Sequence, residues 1–127
     1  MILDHIGLAV RDFARSRAFY LAALAPLGIR IVKQGNGFAG FNREGGKGGF
    51  WIGSGGEPAA PIHVAFAATD RAEVRAFYTA AIAAGGCDNG APGLRPQYHA
   101  DYYGAFVLDP DGHNIEAVCH APETPRG

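Results

Sequence analysis

The stretch from Tyr102 to His120, YYGAFVLDPDGHNIEAVCH, reads as two short strands, Tyr103 to Leu108 and His113 to Cys119, joined by Asp109-Pro110-Asp111-Gly112. Each turn position carries turn chemistry: Asp109 can bond the backbone just ahead of it, Pro110 presets φ, and Gly112 accepts positive φ. A period of two sends Ile115, Ala117 and Cys119 to one face of the second strand and Asn114, Glu116 and Val118 to the other. Glu116 therefore stands mid-strand in a mostly apolar segment. Burying a carboxylate without a partner costs several kcal/mol, so the rest of the chain has to supply one.

Working outward, the chain repeats itself. Leu3 to Gly28 laid over Pro61 to Gly86, an offset of 58, gives 12 identities in 26 positions, among them His5/His63, Asp12/Asp70 and a contiguous Arg-Ala-Phe-Tyr at 17–20 and 75–78. Such a match marks two copies of one unit. Each copy opens with a strand, Ile2 to Val10 and Ile62 to Ala68, that sets large apolar residues on one face and a histidine among small residues on the other. A helix follows each strand. In the second copy Asp70 and Glu73 form a capping-box-like start, and Val74, Phe77, Tyr78, Ala81 and Ile82 keep helical spacing up to Gly85-Gly86. In the first copy the same pattern runs from Asp12 to the neighbourhood of Pro26 and Gly28.

Three shorter strands come next in each copy, read in the first as Ile29 to Lys33, Gly37 to Asn42 and Gly49 to Gly53. Here the offset grows to 65, which aligns Phe41 with Phe106 and Trp51 with Glu116, and the seven additional residues fall in a longer loop between Cys87 and Asp101. The predicted fold is α+β, two tandem βαβββ modules whose mixed sheets curve into a concave cup with the helices on its outer side. One domain spans 1–127, with module one at 1–54, a linker at 55–60, module two at 61–120 and a tail at 121–127.

Composition narrows the function. A net charge of -1 and scattered basic residues offer nothing to nucleic acid or an anionic membrane, and no apolar run approaches the roughly 20 residues of a membrane helix. A cytoplasmic protein is the default expectation. Cys87 and Cys119 are too few for a disulfide framework and read as small hydrophobes. The run Gly45-Gly46 to Gly48-Gly49 lacks the Lys-Ser/Thr and the helix of a phosphate loop.

With helices on one side of each sheet, the other side is free, and it receives His5, Trp51, His63 and Glu116, with Tyr103, Ala105 and Val107 beside them if the strand parity holds. Two imidazoles and a carboxylate form a ligand set for a divalent ion, Fe, Zn, Ni or Mn, with positions left open. Core histidines bonded to backbone carbonyls are the plainer alternative. His99, in the inserted loop, is a substrate-binding or acid–base candidate, or a solvated loop residue. His113 points away from Glu116 and reads as structural, while His120 sits at the fraying strand end and is not counted as a ligand.

The segments Leu3 to Val10, Phe19-Tyr20, Ile62 to Phe66 and Phe106 to Glu116 resemble the vicinal oxygen chelate superfamily: glyoxalase I, extradiol dioxygenases, bleomycin-resistance and fosfomycin-resistance proteins. The resemblance covers essentially the whole chain. It implies metal ligands at His5, His63 and Glu116, Glu116 also serving catalysis, and a small substrate whose neighbouring oxygens chelate the ion in lyase- or dioxygenase-type chemistry. Exposed strand edges on two small half-sheets predict a two-fold homodimer, and the resemblance implies a cup formed within a chain or between chains, so that His5 would share a site with His63 and Glu116 of the partner subunit in the second case. Trp51 stands where glyoxalase I-like members have a carboxylate, which argues against that activity. Trp51 and Tyr103 would line the pocket, and a non-catalytic protein sequestering a flat ligand there is the competing function.

Overall fold

The computed structural model describes residues 3–47, 49–58 and 60–123. The predicted strand start at Ile2, Gly48 of the glycine run, Ala59 of the linker and residues 124–127 of the tail lie outside them. Among the described residues eight strands and two α-helices follow the βαβββ order twice, with one short 3-10 turn (Ala25–Leu27) after the first helix: β1 (His5–Ala9), α1 (Phe13–Leu24), β2 (Arg30–Gly35), β3 (Phe38–Asn42) and β4 (Gly49–Gly53), then β5 (His63–Ala67), α2 (Arg71–Ala83), β6 (Cys87–Leu94), β7 (Tyr103–Leu108) and β8 (Asn114–Cys119). Each unit is a four-stranded mixed sheet, ordered β1-β4-β3-β2 and β5-β8-β7-β6. The first and last strands of each unit pair in parallel.

Backbone bonds reproduce the repeat atom for atom. Gly49 N–H donates to Asp4 O at 3.0 Å and Asn114 N–H to Ile62 O at 2.9 Å; Val10 N–H donates to Gly53 O at 3.0 Å and Ala68 N–H to Val118 O at 2.8 Å. The helices start alike for the same reason. Asp12 accepts from Arg15 N–H at 3.1 Å and Asp70 from Glu73 N–H at 2.8 Å, each filling one of the donors a helix N-terminus leaves open.

The closing hairpin has its predicted turn. Gly112 adopts φ 86°, its N–H donates to Asp109 O, and Asp109 Oδ1 accepts from the backbone of Asp111 and His113 at 2.9 and 2.8 Å. Two details differ from the sequence reading. First, Cys87 to Leu94 is not loop but an edge strand with register shifts, since an edge tolerates Pro92 and the glycines there. Second, β3 and β7 are offset by one more residue than β4 and β8. Gly40 pairs with Trp51 while Phe106 pairs with Glu116, so Gly40, not Phe41, is the counterpart of Phe106. The connection between β3 and β4 is one residue longer than its counterpart, and a shift of one residue reverses every side chain on a strand.

One core cluster joins the units. Leu8, Val10, Phe41, Phe50 and Ile52 of the first sheet, Ala105, Val107, Ile115 and Ala117 of the second, and Phe19, Tyr20, Val74 and Phe77 of the helices all belong to it. The rings of Phe50 and Phe66 meet edge to face across the units at 5.2 Å. Tyr20 of α1 donates its hydroxyl to Asp109 of the distant turn. Burial first, and the Asp109 carboxylate second, push the Tyr20 pKa far above the ordinary tyrosine value, so this bond keeps its proton. The units thus associate through their helix-covered sides. The opposite faces are left outward within the single chain, with His5, Gly7, His63, Ala65 and Ala67 exposed.

Candidate functional site

On the free face of the second sheet, His63 at the start of β5 and Glu116 in the middle of β8 are brought together. His63 Nε2 lies 2.7 Å from Glu116 Oε1, and the Glu116 side chain has no solvent exposure while His63 is 51% exposed. The other carboxylate oxygen, Oε2, accepts from the Tyr102 hydroxyl. These two bonds answer the demand that Glu116 made of the sequence, because a carboxylate with both oxygens bonded no longer bears the full cost of leaving water. Burial raises the pKa of Tyr102, its bond to Glu116 raises it further, and the Arg95 guanidinium acts in the opposite direction. Tyr102 is therefore a proton donor here. Arg95 itself stacks on Phe106, 5.4 Å from the ring, beside the same face.

On the free face of the first sheet, Trp51 of β4 occupies the position of Glu116, opposite Gly7 where Glu116 is opposite Ala65. Its six-membered ring covers Gly40, where an added Cβ would come within 2.7 Å of three ring carbons. Phe38 lies 6.4 Å away, tilted by 32°. His5 is 65% exposed and its Nδ1 is 2.8 Å from Asp4.

Of the three expected ligands, one chain unites two. His5 does not join His63 and Glu116, and no group of three His, Cys, Asp or Glu side chains suited to a metal occurs among the described residues. The physical reason is the helix-to-helix association of the units. An imidazole nitrogen and a carboxylate oxygen are donor types that a divalent ion accepts, so His63 and Glu116 would serve as part of a metal site.

Tyr103 is a correction. Pairing of Phe106 with Glu116 puts Tyr103, Ala105 and Val107 on the helix side, and Tyr103 lies beneath Arg71 and Arg75 of α2, 5.2 and 5.9 Å from its ring. The pocket-facing tyrosine is its neighbour Tyr102. Its signal in the sequence was parity: Tyr102, Gly104 and Phe106 alternate with the core residues Ala105 and Val107. His99 is held by the chain itself. Its Nδ1 accepts from Asp101 N–H at 3.1 Å, so Nε2 carries the proton and donates to His120 Nδ1 at 2.8 Å. His113, 3% exposed, accepts from Ile62 N–H, in keeping with a structural role.

A family profile for the Glyoxalase/Bleomycin resistance protein/Dioxygenase superfamily matches residues 2–117. The chain belongs to that superfamily. Among solved structures it is similar to a glyoxalase/bleomycin resistance protein from Albidiferax ferrireducens T118, at 30% identity and TM-score 0.82, with 94% of this chain and 99% of that one covered. A glyoxalase/bleomycin resistance protein/dioxygenase family enzyme from Burkholderia phytofirmans PsJN shares the fold at 20% identity and TM-score 0.72, covering 93% and 98%. No curated protein matches the chain. Membership accounts for the duplicated βαβββ plan; a superfold hosting several chemistries leaves the reaction to the site.

Proposed function

We propose that the protein is a metal-dependent enzyme acting on a small substrate whose neighbouring oxygens chelate a divalent ion, and that it works as a homodimer. His63 and Glu116 of one subunit and His5 of the partner subunit would hold the ion. The observation carrying this reading is the pairing of His63 Nε2 with a fully buried Glu116, on a sheet face that the chain's own core leaves open, while the equivalent His5 stands exposed on the other face. A two-fold pairing brings the first-unit face of one chain to the second-unit face of another, and such isologous dimers are the commonest closure. A divalent ion there, Fe, Zn, Ni or Mn, would supply Lewis-acid stabilisation of an enolate-like or oxyanionic intermediate.

The chain's own residues bind and orient. Glu116 contributes one oxygen beside His63, and Trp51 offers a flat apolar wall in place of a fourth ligand, suiting a partly apolar substrate. Two free cysteines, one exposed, fit a reducing cytoplasm; among the described residues no helix is long and apolar enough to cross a membrane.

The test is metal analysis of protein purified without an affinity tag, followed by titration of the metal-free form. His5→Ala, His63→Ala and Glu116→Ala should each weaken divalent binding about a hundredfold or more, past the 10- to 100-fold typical of outer partners. Mixing His5→Ala with Glu116→Ala subunits should restore one intact site per hybrid dimer. Protein that takes up no divalent ion sinks the enzyme reading, and a monomer at micromolar concentration sinks the shared site. The alternative, a binding protein without catalysis, draws on the Trp51–Phe38 shelf; it expects ligand binding that is unchanged by chelators.

A further inference from the structure

The loop between β6 and β7 has no counterpart in the first unit. There Gly35 pairs with Phe38, leaving a two-residue turn, whereas Leu94 pairs with Tyr103 across the eight residues 95–102. The loop is closed at its base by Arg95 N–H donating to Tyr102 O at 2.8 Å, and within it Tyr98 N–H donates to Arg95 O at 3.0 Å and Tyr102 N–H to His99 O at 3.2 Å. The bond from His99 to His120 braces it against the end of β8. The ring centroids of that pair are 5.1 Å apart and nearly coplanar at 25°, which is the separation of two imidazoles meeting end to end through an N–H···N bond. The rings of Tyr98, His99 and His120 pack around Tyr102 with centroids 4.9, 5.6 and 5.3 Å away, and the Tyr102 hydroxyl reaches Glu116 Oε2.

The sheet makes room for that contact. A Cβ added to Gly104 would lie 3.1 Å from Glu116 Oε2 and 3.2 Å from Tyr102 Cε1, so glycine at this place lets the tyrosine and the carboxylate come together. Module one, with Trp51 where Glu116 stands, has no carboxylate to hold and no such loop.

We propose that Tyr102 is a positioning residue for Glu116: by occupying Oε2 it limits the carboxylate to a single oxygen, Oε1, beside His63, and loop 95–102 is the device that delivers it. This rests on the metal reading proposed above. A carboxylate restricted to one donor atom leaves more of the ion's positions for a two-oxygen substrate, and one free to bind through both oxygens takes a position away.

The experiment compares wild type, Tyr102→Phe, Gly104→Ala and Tyr98→Phe, using Co(II) as the probe, with thermal melts to show that each variant is folded. Tyr102→Phe and Gly104→Ala free Oε2 to bind as well, so both should tighten Co(II) binding and should lower the intensity of its visible absorption as the coordination number rises. Tyr98→Phe, which removes an exposed hydroxyl with no bond to Glu116, should change neither. Infrared spectra of protein carrying 13C-labelled glutamate carboxylates give a second, metal-free readout: disturbance of the Tyr102 bond should shift the buried Glu116 carboxylate band in Tyr102→Phe and Gly104→Ala and leave it unchanged in Tyr98→Phe. Wild-type protein that binds no Co(II) but shows the infrared shift defeats the metal reading and retains the hold of Tyr102 on the carboxylate. Unchanged Co(II) affinity, absorption and infrared band in Tyr102→Phe overturn the inference.

Discussion

The two units share a backbone plan and differ at the one position where it matters, Trp51 against Glu116. Around each, the neighbours have been fitted to the occupant. Trp51 lies over Gly40, whose counterpart is Phe106, and needs no polar partner. Glu116 is fully buried and has two, His63 from the parallel strand and Tyr102 from a loop the first unit lacks. A duplicated scaffold therefore hosts an apolar shelf in one half and a charged site in the other, and what separates them is the supply of hydrogen-bond donors. Side-chain polarity alone would not have sufficed.

Exchanging the residues tests that account most severely. Glu116→Trp places a large ring in a fully buried slot already shared with Phe106 and strands the Tyr102 hydroxyl, so urea denaturation should report a loss of about 3–5 kcal/mol. A midpoint close to wild type would mean that the second unit is as permissive as the first. The reverse change, Trp51→Glu, falls on a half-buried site without metal present and should cost about 1–2 kcal/mol through lost apolar contact. With divalent ion added, the metal reading expects the Trp51→Glu melting temperature to recover or rise by providing a fourth ligand, and the binding-protein reading expects no response to metal.

The junction between the units offers a smaller test. Tyr20→Phe leaves Asp109 Oδ2 buried without its donor, at a cost of about 1–3 kcal/mol. The pH dependence has a definite sign. The native Tyr20 pKa is raised above the unfolded value, so its contribution is fully present below about pH 10 and declines as the pH rises past that point, where only the unfolded tyrosine ionises. Tyr20→Phe should therefore flatten part of the alkaline fall in stability; an unchanged alkaline limb would remove Tyr20 as its source.

The smallest effect compares the helix starts. Asp12→Ala and Asp70→Ala should each cost about 1 kcal/mol in denaturant midpoint measurements. Asp70→Ala should be the milder, because Glu73 in the first turn of α2 still bonds Thr69 N–H at 3.2 Å and favours the N-terminal end of the helix dipole, while α1 has no acidic residue there. Equal losses would show that Glu73 adds nothing.

The sequence by itself determined the duplication, the βαβββ order, the helix caps, the Asp109 turn and the sharing of one face by His63 and Glu116. All of these are local or periodic: a cap is read from its first turn, a face from alternation, and a repeat from identity at fixed offset. Tertiary structure decided the rest. That Tyr102 and not Tyr103 reaches Glu116 follows from the register of β7 on β8, which pairs Phe106 with Glu116 and which strand pairing alone fixes. That β6 is a strand depended on an edge position that tolerates proline. That His5 stays apart from His63 and Glu116 within one chain follows from Phe50 meeting Phe66 and Tyr20 meeting Asp109 across the units. Contacts between residues so far apart in the chain are chosen by how two apolar surfaces fit each other, and no pattern along either segment records that choice.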